Sequence, residues 1–126
     1  MNANPARKIV AALLDGLDGW NIVDKARVPD RYTAPTALVW TSKINRVTTN
    51  GVDWIKSTVE LWLIAPTDTS PDKLEDRLDS LLGDALLLIE PEPAISWDEA
   101  TRGVFEAASA HGWHLVLTVI HTIQPD

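Results

Sequence analysis

Two long segments rich in β-branched and aromatic residues flank the dipeptide Asn50-Gly51. Asn-Gly between two such segments predicts a two-residue β-hairpin, because both residues adopt the backbone conformation that this tight turn needs. The sequence therefore predicts a strand over residues 36–48 and a returning strand over residues 53–64. On the returning strand, the even positions from Trp54 to Ile64 share one face and the odd positions from Ile55 to Leu63 share the other.

The length of this hairpin constrains how the rest of the chain can pack. Each arm of roughly 12 residues spans about 40 Å, whereas a domain of this size has a radius of gyration of about 14 Å. We therefore expect the tip, near residues 46–56, to project beyond the body of the domain. The base of the hairpin is apolar, and its outer half is polar.

Two segments with helical periodicity accompany the hairpin. The first has Asn4 as a candidate cap and Pro5 at the first helical position, and Gly16 and Gly19 are predicted to end it. Its apolar stripe is formed by Ile9, Val10, Leu13, Leu14 and Leu17. The second opens with Ser70 as cap and Pro71 in its first turn and extends to residue 89. Its buried stripe is predicted to comprise Leu74, Leu78, Leu81, Leu82, Ala85, Leu86 and Ile89.

Three further segments are predicted to be strands. The first is short and covers residues 20–25; the second, residues 94–106, is irregular and interrupted by Gly103; the last covers residues 113–123 and is introduced by His111 and Gly112. The last strand is largely apolar on both faces, which favours either a position in the middle of a sheet or cover on both sides. We predict one α+β domain over residues 1–126, with two layers: a mostly antiparallel sheet of four to five strands, covered on one face by two helices, and a long projecting hairpin.

The composition narrows the class of protein. The 126 residues (13.9 kDa) are 45% hydrophobic and 23% charged, which is typical of a folded domain. No apolar run approaches the length of a membrane span, and neither a signal peptide nor a membrane contact is expected. Cysteine is absent, which excludes disulfides and thiolate chemistry.

Charge is divided unevenly along the chain. Residues 1–62 carry eight Lys or Arg and six Asp or Glu, whereas residues 63–126 carry three and twelve. The excess of carboxylates argues against a broad nucleic-acid-binding surface, which needs clustered cations. The division suits either a solvated acidic helix beside a mildly basic sheet or self-association through two different faces.

No pattern in the sequence predicts catalysis or a cofactor. His114 and His121 lie an odd number of residues apart on one predicted strand and should point to opposite faces, and His111 precedes them without a carboxylate at ligand spacing. Asp98 and Glu99 are adjacent in a strand and should diverge. There is no Gly-x-Ser-x-Gly motif and no phosphate-binding glycine loop. We therefore expect a protein that is not an enzyme and needs no metal.

The order and pattern of these elements resemble a known family. The features that carry the resemblance are the N-terminal helix ending at the Trp20 strand, the 37–40 strand Ala-Leu-Val-Trp, the 59–64 return arm Val-Glu-Leu-Trp-Leu-Ile, and the 71–89 helix with 79–82 Asp-Ser-Leu-Leu. This pattern, which spans nearly the whole chain, is similar to the tail terminator (tail completion) proteins of long-tailed bacteriophages, especially siphophages. It contains no invariant signature, and related phage neck and minor tail proteins share much of it.

The resemblance implies a structural protein of the virion, assembled in the host cytoplasm. Such proteins form a hexameric ring at the head-proximal end of the tail, stop polymerisation of the major tail tube protein, and dock to the head connector or stopper protein. DNA passes through the lumen without specific binding. The alternatives are another phage neck or minor tail protein, or a small non-enzymatic α+β binding module.

The resemblance also implies that the sheet, the hairpin and nearby loops make the contacts of the ring. We expect hairpin residues at the subunit interface, namely Lys43, Arg46, Asn50, Gly51, Trp54 and Lys56. The acidic residues expected to face the lumen or a partner are Glu75, Asp76 and Asp79.

Overall fold

A computed structural model describes residues 6–23, 33–49, 51–105 and 110–122. The elements in chain order are α1 (Ala6–Leu14), β1 (Asn21–Val23), β2 (Thr36–Thr49), β3 (Val52–Ile64), α2 (Leu74–Ile89), β4 (Ile95–Phe105) and β5 (Ala110–His121). The five strands form one sheet in the order β1-β2-β3-β5-β4, in which only the β1–β2 pair is parallel. The predicted two-layer α+β fold with a mostly antiparallel sheet is confirmed.

The long hairpin is formed by β2 and β3. Thr49 pairs with Val52, and Gly51 has a φ of 76°, as a two-residue turn of this kind requires. Asn50, the other predicted turn residue, lies outside the described residues. Strand β5 pairs with β3 from Ile64 to Ile55, so the described part of the hairpin extends beyond β5 only from Trp54 outward. The overhang is therefore shorter than the sequence predicts.

A bulge changes the alternation of β2. Thr41 pairs with Val59 and Lys43 pairs with Thr58, which leaves Ser42 as an extra residue. Residues directly opposite each other in a sheet share a face. As a result, Lys43 lies on the same face of the sheet as Thr58. Every later residue of β2 lies on the face opposite to the one that strict alternation from Thr41 would give it.

The main core lies between one face of the sheet and the two helices. Val59, Leu61 and Leu63 of β3 are fully buried there, together with Leu115, Leu117 and Val119 of β5. Val10 and Leu14 of α1 and Ala85 and Ile89 of α2 pack against them. Strand β5 lies between β3 and β4, which confirms the interior position predicted for it.

Helix α2 presents its leucine-rich stripe to this core. Leu78, Leu81, Ala85 and Ile89 are buried, and Leu74, Leu82 and Leu86 are half-buried, as predicted. The predicted start is wrong: the helix begins at Leu74, and its N-cap position is Lys73, which makes no side-chain capping hydrogen bond. Residues 71–73 form a turn instead, in which the backbone N–H of Lys73 donates to the carbonyl of Ser70 at 3.0 Å.

The buried face of α1 also differs from the prediction. Ala6, Val10 and Leu14 recur at intervals of four residues and are buried. Ile9 and Ala11 each lie about 100° around the helix from Val10, and since Ala11 is buried and Ile9 is exposed, the helix is turned towards the core on the Ala11 side. The predicted cap residues, Asn4 and Pro5, lie outside the described residues.

Two strand predictions need correction. Gly103 does not interrupt β4; it pairs in register with Gly112, and the irregularity lies between Trp97 and Ala100. A Cβ atom at position 103 would lie 3.2 Å from the indole ring of Trp62, so glycine here leaves room for that ring. His111 and Gly112 belong to β5 and do not precede it. In the first strand, β1 ends at Val23, and residues 24–25 lie outside the described part of the chain.

Truncation of the α2 stripe should destabilise the subunit itself. Leu78→Ala removes a fully buried side chain and should lower the free energy of unfolding by about 2–5 kcal/mol. Asp76→Lys, on the exposed face of the same helix, should change it by less than about 0.5 kcal/mol. Thermal melts at low protein concentration measure both, and equal shifts for the two variants would contradict this assignment of the helix faces.

Candidate functional site

The face of the sheet opposite the helices is partly exposed; we call it the open face. At one end, Leu38, Ile64 and Ala110 are buried in a cluster of their own, against which Trp40 and Trp62 pack and to which no residue of either helix belongs. The same face carries large apolar side chains with substantial exposure: Val116 (45%) beside Glu60, and Ile120 (39%) and Trp54 (37%) towards the hairpin tip. Exposed apolar side chains close together on one face are typical of interaction sites.

A cluster of polar and aromatic side chains occupies the centre of the open face. Glu60 accepts a hydrogen bond from the Ser42 hydroxyl at 2.8 Å and lies 2.8 Å from Nε2 of His114. The rings of Trp62 and His114 are stacked, with centroids 4.9 Å apart and an interplanar angle of 16°. These contacts fix the orientation of Trp62 and satisfy the half-buried Glu60 carboxylate.

On the helix-covered face, Ser57 and His121 form a buried pair. The Ser57 hydroxyl lies 2.9 Å from Nε2 of His121, and Nδ1 of His121 lies 3.0 Å from the carbonyl of Thr122. A carbonyl only accepts, so in the neutral imidazole Nδ1–H donates to it and Nε2 accepts from Ser57. Ser57 is fully buried, which denies a substrate access to its hydroxyl. His114 and His121 thus lie on opposite faces, as predicted.

The structure divides the predicted hairpin residues between the two faces. Lys43 and Lys56 share the open face with Trp54, because Lys43 pairs with Thr58 and Lys56 pairs with Ile120. Within the described part of the chain, neither lysine forms an ion pair. Arg46 pairs with Ile55 and lies on the other face, where its guanidinium donates to Asp53 at 3.0 Å. Gly51 serves the turn.

The predicted acidic residues also separate. Nη1 of Arg102 on β4 donates to both carboxylate oxygens of Glu75, at 2.9 and 2.8 Å, so Glu75 has an internal partner. Asp76 and Asp79 are exposed, and neither makes an ion pair within the described residues. These two carboxylates remain available to a partner.

Sequence reasoning did not single out several exposed apolar residues. Val116 and Ile120 belong to the second apolar face of β5, and that two-sided pattern was the available signal. Leu87 on α2 is 75% exposed. Its position among buried leucines conceals it in a simple hydrophobicity profile, and only the helical phase distinguishes it.

The polar residues of the described chain do not converge on a reactive centre. Asp98 and Glu99 are exposed at the irregular part of β4. Among the described residues, no group of three or more His, Asp or Glu side chains could hold a metal ion. Two clefts of about 280 and 340 Å³ lie at the 65–71 loop and between Leu17 and Leu87. No helix in the described ranges is long and apolar enough to cross a membrane.

No protein-family model matches the chain, and no curated protein is significantly similar to it.

The Asp53 carboxylate should report the local structure of the hairpin tip. Hydrogen bonds from Thr48 (2.7 Å) and then Arg46 hold the pKa of Asp53 below its ordinary value of 3.8. The hydrogen-bonded Asp53 carboxylate therefore stabilises the folded state at pH values above 3.8, and this stabilisation is lost as the pH falls through the lowered pKa of Asp53. NMR titration should give a lowered pKa that Thr48→Val raises towards 3.8 and that Thr118→Val, elsewhere in the sheet, leaves unchanged. An unchanged Asp53 pKa in Thr48→Val would contradict this interpretation.

The buried Ser57–His121 pair should contribute to folding. Ser57→Ala leaves Nε2 of the buried His121 without its partner, which should cost about 1–3 kcal/mol of unfolding free energy. Ser96→Ala, at an exposed position of β4, is the matched control and should cost little. Chemical denaturation measures both; a neutral effect of Ser57→Ala would mean that another group satisfies the imidazole.

Proposed function

We propose that this protein is a tail terminator of a long-tailed bacteriophage. In this role it forms a ring at the head-proximal end of the tail tube, stops growth of the tube and provides the docking surface for the head connector or stopper. Its partners are further copies of itself, the tube protein and the head-side protein. DNA passes through the ring without being bound by sequence.

Agreement in architecture supports the proposal. The resemblance in sequence implies a helix, a short strand, a long hairpin, a second helix and two closing strands, and these elements occur in that order. The hairpin strands are the longest in the sheet, at 14 and 13 residues. Fold alone does not determine function, so the argument depends on the surfaces that this fold presents.

The state of the polar groups also supports an assembly role. Ser57 is buried against His121, Glu60 is held by Ser42 and His114, and Glu75 is held by Arg102. Each of these side chains serves the subunit's own structure. A catalytic site would need such groups aimed into an accessible pocket.

The observation that carries the proposal is the pair of contrasting surfaces on one subunit. The hairpin end of the open face combines exposed apolar side chains with two lysines that form no ion pair among the described residues, whereas α2 presents exposed carboxylates. Complementary but different surfaces generate head-to-tail contacts, and such contacts form a ring when the rotation from one subunit to the next closes. A terminator needs both a ring and two faces that meet different partners.

A phage that encodes this chain tests the proposal directly. A stop codon early in the gene should yield overlong tail tubes of variable length without attached heads, because nothing ends polymerisation. Electron microscopy of lysates measures tube length, and expression of the wild-type chain in the host should restore normal particles. Tails of normal length that lack heads would indicate a neck protein instead. Normal infectious particles would exclude both roles.

A further inference from the structure

We propose that the exposed ridge of α2 in one subunit docks on the hairpin end of the open face of a second copy. We define the ridge as Asp76, Asp79, Ser80, Gly83 and Leu87, and the docking patch as Lys43, Trp54, Lys56 and Ile120. This contact rests on the proposed assembly function. It places Asp76 and Asp79 in the subunit interface and not at the lumen.

Helical geometry brings four of the five ridge residues onto one line, and Asp79 lies beside that line. Successive residues turn by about 100°, so positions 76, 80, 83 and 87, spaced by four, three and four, form a stripe along the axis. The buried positions 78, 81, 85 and 89 form a second stripe on the opposite side. The ridge is thus the part of α2 farthest from its own core. Arg77, the only basic residue of α2, lies on the flank.

Leu87 is the most exposed large hydrophobic residue among those described, at 75%. It also lines the cleft of about 340 Å³ whose other walls include Leu17 and Trp20 and whose rim carries Asp18 and Asp84. An apolar side chain beside a cleft, with carboxylates around it, matches a partner that offers apolar and cationic groups together. The docking patch offers that combination.

Nothing in the described part of the subunit explains the glycine at position 83. It lies within the helix, where glycine is less favourable than alanine, and a Cβ added there would meet no atom within 4 Å. The missing side chain leaves a shallow gap in the ridge between Ser80 and Leu87. A flat sheet surface can approach the helix backbone closely at such a gap. The contact therefore explains why glycine occupies position 83.

The docking patch carries the opposite charge. Lys43 pairs with Thr58 and Lys56 pairs with Asn45, so the two lysines are diagonal neighbours on one face. Neither has an ion-pair partner in the described ranges. Two adjacent like charges favour an acidic partner, which the ridge supplies through Asp76 and Asp79. The apolar side chains supply the attraction, and the charges fix the orientation.

Since the ridge and the patch are different surfaces, every subunit has one of each. Each contact therefore leaves a free ridge at one end and a free patch at the other. A two-fold dimer, in which the same surface meets itself, would bring the lysines of two patches together. Like charge disfavours that arrangement.

Mixing two complementary variants tests the contact. Lys43→Glu/Lys56→Glu disables the patch, and Leu87→Asp disables the ridge; each side chain is exposed, so both should melt like the wild type. Sedimentation should find each variant monomeric at 13.9 kDa where the wild type associates. A mixture retains one intact ridge and one intact patch and should form dimers and nothing larger. Val104→Asp, at an exposed apolar site outside both surfaces, should associate like the wild type.

Gly83→Ala separates the interface role from folding. The subunit should melt at the same temperature or higher, whereas the dissociation constant of the contact should rise by about tenfold or more, because a methyl group blocks close approach. Unchanged association would overturn the role of Gly83.

Three results would overturn the docking proposal itself. They are self-association of the Leu87→Asp variant at wild-type strength, a mixture that forms no dimer, and a wild-type chain that stays monomeric up to about 1 mM. The phage experiment is independent. Overlong tails together with a mixture that forms no dimer would reject this contact and keep the proposed function. Normal tails together with a mixture that forms dimers would reject the proposed function and keep this contact.

Discussion

The alternation of side chains along β3 is the constraint on which the remaining structure depends. Its apolar odd-numbered residues pack against both helices, while its even-numbered residues include Glu60 and Trp62 of the cluster on the open face. Because the strand pairs with β2 on one side and β5 on the other, its facing determines the facing of both neighbours. A slip of one residue would expose Leu61 and Leu63 and bury Lys56 and Glu60 in the core. The pattern therefore selects a single register.

Much of the fold could be predicted because its strongest signals are local. The period-two pattern of β3, the Asn-Gly turn and the leucine stripe of α2 each lie within one segment, and each gave the correct element and face. The failures concern features settled by contacts between distant segments. Gly103 looked like an interruption of β4, yet it accommodates the Trp62 ring from two strands away. Ile9 fits an apolar stripe as well as Val10 does, and only the position of α1 on the sheet distinguishes them.

The candidate surface was predictable only in part, for the same reason. Parity along β3 correctly groups Trp54 with Lys56, but on β2 the extra residue at Ser42 reverses the facing of every later residue, which places Lys43 on the open face and Arg46 on the other. Glu75 resembled the other carboxylates of α2 until the structure brought Arg102, 27 residues away, into contact with it. Which charges are available to a partner is thus a property of the folded subunit, and two lysines and two aspartates of the predicted set remain available.

The bulge at Ser42 also determines where this sheet can change in length. Both arms of the hairpin are fixed at their far end by the Thr49–Val52 pair and along β3 by the pairing with β5. Removal of one residue from most positions of β2 would shift its distal half against this frame. Removal of Ser42 would instead restore regular pairing, with Thr41 and Lys43 keeping their present partners, and would remove only the hydroxyl that donates to Glu60. Ser42 is therefore the position in β2 at which the loss of one residue leaves the arrangement of the hairpin surface intact, and among hairpin strands of this kind a difference of one residue in length is best tolerated there.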